Sequence, residues 1–152
     1  MTRYEWLDNK ENKADVYNLL RYTLEEIQPD ELPFLDGIYD NYIDLARQGS
    51  VDFDDRQRPF NFTGAEDVIS VWLIPLAIEV ANTLIITAGI FSLKKSADLL
   101  MQHRAPPAKT EPVKIRDCIH KTLDELPFAI DQHERAHLEN ALVQAIQLIL
   151  VA

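Results

Sequence analysis

Cysteine occurs once in the 152 residues, as Cys118, so no disulfide can close within the chain and no paired-cysteine metal motif can form. Glycine is scarce, with only four positions, which argues against a turn-rich sheet protein. Positive charge is in deficit. Fifteen Lys and Arg stand against 25 Asp and Glu, a formal charge of -10, so a phosphate backbone is repelled on average and nucleic acid is not expected as a partner. Lys94, Lys95, His103, Arg104, Lys109 and Lys114 are scattered cations without interleaved aromatics, and they read as a helix end and a solvated connector. The opening MTRYEWLDNKENK has no apolar signal core, and with a lone cysteine this gives the expectation of a cytoplasmic protein. Nucleotide-binding glycine loops and the G-x-S-x-G nucleophile turn are also missing.

Hydrophobic residues make up 47% and charged residues 26%, the balance of a folded globular chain of one-domain size. The periodicity predicts an all-α, compact bundle of about six helices around a central apolar helix. A first helix near 12–28 places Val16, Leu19, Leu20, Thr23 and Ile27 on one face and stops at Pro29. A second near 33–47 repeats the spacing with Leu35, Ile38, Tyr39, Tyr42, Leu45 and Ala46. Residues 49–64 read as a loop anchored by Phe53, Phe60 and Phe62. Its Asp52, Asp54 and Asp55 lack the glycine and closing glutamate of a calcium loop, so they read as solvated charge. Thr63 and Glu66 form a capping-box pattern that starts a third helix near Gly64. Two further helices are expected near 112–126 and 131–150. Residues 1–103 then form a helical core, 104–112 a Pro-rich connector, and 113–152 a helical pair packed on the same core, one domain overall.

The run from Val68 to Leu93 is long enough to invite a membrane-spanning reading. Glu79 opposes it, since a charge at the centre of a span typically costs about 2.5 to 3.5 kcal/mol on insertion scales, and Pro75 and Asn82 add to the difficulty. On a helical projection Glu79, Asn82 and Thr83 share one sector, a polar strip on an apolar rod. Gly89 divides the run, leaving Ile90, Leu93, Ala97 and Leu100 as the inward stripe of a separate helix. The expectation is a core helix. A concealed segment released into a bilayer is the alternative, with Lys94 and Lys95 at its cytosolic end.

One motif carries possible chemistry. His133-Glu134-Arg135-Ala136-His137 matches H-E-x-x-H, in which histidines one helical turn apart bind zinc and the glutamate acts as general base. The pentapeptide resembles the zinc metalloprotease motif, which implies His133 and His137 as ligands and Glu134 as base. The likeness ends at five residues, and Arg135 puts a charge where that family keeps an uncharged residue. No later histidine completes the site, so a third ligand would come from His120, Asp117 or Cys118 on the preceding helix. The structural reading of the same residues is a helix start: Asp131 caps, Glu134 stands three residues on, and the histidines share a solvated flank with Asn140 and Gln144, away from Leu138, Leu142, Ala145 and Ile149. Cys118 is read as a packed or half-packed thiol.

These readings give a non-enzymatic helical interaction or adaptor module, binding another protein or itself, with no cofactor. The alternatives are a membrane-inserting effector using 68–93 and a zinc-dependent hydrolase using 133–137.

Overall fold

An asparagine begins the first long helix. The Asn9 side chain accepts hydrogen bonds from the backbone N–H groups of Glu11 at 2.8 Å and Asn12 at 3.1 Å, satisfying donors that a helix start leaves open. Our computed structural model describes residues 4–47, 70–102, 114–126 and 130–151. Their α-helices are α1 (Lys10–Ile27), α2 (Leu32–Arg47), α3 (Ser70–Ala88), α4 (Leu93–Met101), α5 (Ile115–Asp124) and α6 (Gln132–Val151), with short 3-10 helices at Glu5–Asp8 and Pro29–Glu31. The fold is an all-α bundle, and the six α-helices among the described residues fall where the periodicity predicts helices.

In α1 the expected face, Val16, Leu19, Leu20, Thr23 and Ile27, is buried, with Leu24 beside it. The helix ends where Pro29 opens a 3-10 turn, and Pro33 sits in the first turn of α2, where its missing N–H is harmless. α2 turns Leu35, Tyr39, Ile43 and Ala46 inward. The Tyr39 hydroxyl donates to the Lys13 carbonyl at 2.5 Å, and its ring meets Tyr17 edge-on at 5.2 Å, so α2 is keyed to α1 by aromatic geometry as well as area. Burial pushes the Tyr39 phenol far above its usual range.

α3 is apolar on nearly every side, and Leu73, Ile74, Leu76, Ala77, Ile78, Val80, Ala81, Leu84, Ile85 and Ala88 are all buried. Such a helix belongs inside a bundle or a membrane. Here α1, α2, α4 and α5 all pack against it. It ends at Gly89, which takes a left-handed φ of +72° while its N–H bonds to the Ile85 carbonyl at 2.9 Å. Ser92 then caps α4 by accepting from Lys95 N–H at 3.3 Å, and the chain bends by 67° between the two helices. No single helix among the described residues is long and apolar enough to cross a membrane. A β-carbon at position 89 meets nothing within 4 Å, so Gly89→Ala should cost only the backbone penalty, about 1 to 2 kcal/mol, in urea unfolding. A larger loss would mean that the corner is crowded.

α6 packs most extensively on α1, and α5 lies against α3 and α6, so one hydrophobic cluster draws on every α-helix. The expected stripe of α6, Leu138, Leu142, Ala145 and Ile149, is buried together with Ala141, Val143 and Ile146. The loop at 49–64 with its three aspartates, the Thr63–Glu66 cap and the connector at 104–112 lie outside the described residues, as do the side chains of Ile38, Tyr42 and Leu45.

Candidate functional site

The H-E-x-x-H segment opens α6. Asp131 caps it: its carboxylate accepts from His133 N–H at 3.1 Å and its carbonyl from Arg135 N–H at 2.8 Å. The carboxylate bond therefore goes to the residue before Glu134, one position short of a capping box. His133 and His137 are exposed, and His137 Nε2 stands 4.0 Å from the Glu26 carboxylate on α1.

Arg135 points to the other neighbour. Residues two apart on a helix diverge by about 200°, and the Arg135 guanidinium meets α5, donating to Asp124 at 2.6 Å and to the His120 carbonyl at 3.1 Å. Glu139 follows on the same flank, 3.5 Å from Arg116 and 3.9 Å from His120 Nδ1. Arg116 also donates to Asn140 at 2.9 Å. The fold does bring α5 alongside α6. It brings His120 to the Arg135–Glu139 flank, however, while His137 looks toward α1. Asp117 is exposed, and Cys118 is only 3% exposed in the core. Among the described residues no group of three or more His, Cys, Asp or Glu side chains is placed to hold a metal ion. The charged groups between α5 and α6 form an interhelical ion-pair cluster of alternating sign, worth little individually where it meets solvent.

The second place is the polar strip of α3. The Tyr4 hydroxyl donates to the Glu79 carboxylate, and the Trp6 indole N–H donates to Asn82 Oδ1 at 2.9 Å. Thr83 Oγ1 donates back to the Glu79 carbonyl at 2.9 Å and accepts from Thr122 Oγ1 of α5 at 3.1 Å. The strip thus meets two elements, the Tyr4–Asp8 segment on one side and α5 on the other. Asn82 is 1% exposed, and its Nδ2 has no hydrogen-bond partner among the described residues. With Oδ1 occupied by Trp6, the amide cannot turn to satisfy Nδ2 without releasing the indole.

Asn12 joins this strip to the α3–α4 corner. Its Nδ2 donates to the Trp6 carbonyl at 2.9 Å and the Phe91 carbonyl at 3.3 Å, while its Oδ1 accepts from Leu93 N–H at 2.9 Å. One buried amide therefore answers three backbone groups, of which the Trp6 carbonyl also accepts from Asn9 N–H at 3.3 Å. Tyr4, Trp6 and Leu7 are buried around it. Burying three such side chains contributes on the order of 5 to 9 kcal/mol. Ordering five backbone residues costs about 5 to 10 kcal/mol. Apolar burial alone leaves the segment near balance, so the bonds of Tyr4, Trp6 and Asn12 decide whether it stays docked.

Sequence reasoning singles out Glu79, Asn82 and Thr83 but not their partners. Tyr4, Trp6 and Asn12 carry no motif; the available signal is an apolar trio, Tyr4, Trp6 and Leu7, in a charged stretch just ahead of an asparagine cap. Nearby, burial raises the Asp15 carboxyl above its ordinary range, with Lys94 opposing.

No protein-family model, curated protein or solved structure matches this chain. The protein is an all-α bundle with a partly buried polar strip along α3.

Proposed function

We propose that the protein is a non-enzymatic cytoplasmic interaction module that binds another protein or a second copy of itself through the α3–α4 corner. The observation that carries this reading is the pair of large apolar side chains at that corner, Ile86 at 64% and Phe91 at 61% exposure, on either side of Gly89. Apolar side chains concentrated at one exposed place suit a docking surface. The interior supports the same reading, because the polar groups along α3 are engaged by Tyr4, Trp6 and Thr122 side chains and, for Thr83, by the Glu79 carbonyl.

Sedimentation of the purified protein, and copurification with its cellular partners, should reveal an assembly that Ile86→Ser and Phe91→Ser each weaken about tenfold or more, as truncation of an apolar anchor does. An assembly unaffected by both substitutions sinks the assignment of the corner. Near-stoichiometric zinc that disappears in His133→Ala would replace the reading with the hydrolase. Flotation with liposomes that depends on residues 68–93 would replace it with the membrane effector.

A further inference from the structure

We propose that the Tyr4–Asp8 segment is a strap, a conformational device that opens from α3 as a unit while the six α-helices remain folded. Three observations lead there. Among the described residues the 3-10 helix closes its backbone bonds locally, Leu7 N–H to the Tyr4 carbonyl at 3.0 Å and Asn9 N–H to the Trp6 carbonyl at 3.3 Å. It packs against α1 and α2 and is bonded to the helices by side-chain groups: Tyr4 on Glu79, Trp6 on Asn82, and the Asn12 amide on the Trp6 carbonyl. Among the described residues no ladder of main-chain bonds joins it to α2 or α3.

The second observation is the unpaired Nδ2 of buried Asn82. A buried donor without a partner penalises the closed state, and water satisfies it as soon as the strap lifts. The half-buried Glu79 carboxylate gains hydration in the same step.

The third is what stays behind. Asn12 keeps its bonds to the Phe91 carbonyl and Leu93 N–H, and Thr122 keeps its bond to Thr83, so the helices remain tied without the strap. Residues 79, 82 and 86 recur at spacings of three and four and share one helical face. The strap covers its Glu79–Asn82 part and leaves Ile86 exposed. Opening therefore lengthens the exposed corner into a face running back to Glu79. Regulation of docking by this step rests on the function proposed above; the opening itself does not.

The test is native-state hydrogen exchange on the full chain, following the Trp6 indole N–H against the backbone N–H of Leu84 in α3. A fraying end would not free that indole, because it is buried against Asn82. The expected result is protection of Trp6 at least tenfold weaker than that of Leu84, with a smaller urea dependence, the signature of a sub-global opening. Tyr4→Phe, which retains the ring and loses the bond to Glu79, should accelerate Trp6 exchange about fivefold, whereas Leu142→Ala, which removes core contacts that the opening leaves intact, should accelerate Leu84 and leave Trp6 unchanged. Equal protection of the two groups with equal urea dependence overturns the strap. So does a Tyr4→Phe variant that leaves Trp6 exchange unchanged, or a Leu142→Ala variant that accelerates both groups alike. These outcomes are independent of any partner, whereas failure of Ile86→Ser and Phe91→Ser to weaken assembly leaves the exchange result untouched.

Discussion

Asn12→Leu should lower the free energy of unfolding by about 3 to 5 kcal/mol, although leucine is a better helix former of nearly the same size. The substitution leaves the Phe91 carbonyl and the Leu93 N–H without the amide that now answers them, and the Trp6 carbonyl with the Asn9 N–H alone. Each buried group stripped of its partner costs about 1 to 3 kcal/mol, and the better helix propensity returns only a few tenths. Asn12→Asp tests the same point from the other side. It preserves an acceptor for Leu93 but sets an anion against two carbonyl oxygens, so it should be at least as destabilising as leucine at neutral pH and should recover part of the loss when the carboxyl is protonated. Chemical denaturation at two pH values measures both. A loss below about 1 kcal/mol in Asn12→Leu would show that the three backbone groups find other partners.

The second large effect belongs to α6. Leu142→Ala removes a fully buried side chain from the helix that packs most extensively on α1, and should cost about 2 to 5 kcal/mol, the range for a leucine cavity. Leu148 lies on the same helix at 45% exposure, and Leu148→Ala should cost less than about 1 kcal/mol. The contrast fixes the rotation of α6 about its axis. Comparable losses at both positions would mean that Leu148 is covered in solution, as it would be in a dimer.

Much of the bundle is legible from periodicity because the helices around α3 have distinct apolar faces. α1 is the plainest case, with every residue of its expected stripe buried. Gly89 was equally readable, since a glycine after an apolar run is a natural left-handed helix end and the φ of +72° makes it one. The polar strip was half readable. Helical projection groups Glu79, Asn82 and Thr83, but a projection has no access to the partners, which lie far away in sequence at Tyr4, Trp6 and Thr122. The H-E-x-x-H pattern shows the converse. Spacing correctly sets His133 and His137 on one flank, yet only the packing of α6 between α1 and α5 reveals that His120 arrives at the opposite flank. Pattern reading fixes faces along one helix; it carries no information about which helix comes next to which face.

The partnership of α1 with α6 also bears on how the protein is made. These helices form the most extensive interface in the bundle although more than a hundred residues separate Lys10 from Gln132. Closing so long a loop is entropically expensive before any contact repays it, which favours slow folding. On the ribosome α1 emerges early and must wait for α6, and in that interval the apolar flanks of α1 and α3 have only each other and the intervening helices for cover. A chain built this way is most vulnerable to aggregation just before α6 emerges, when the helices it packs against are present and the helix that seals them is not.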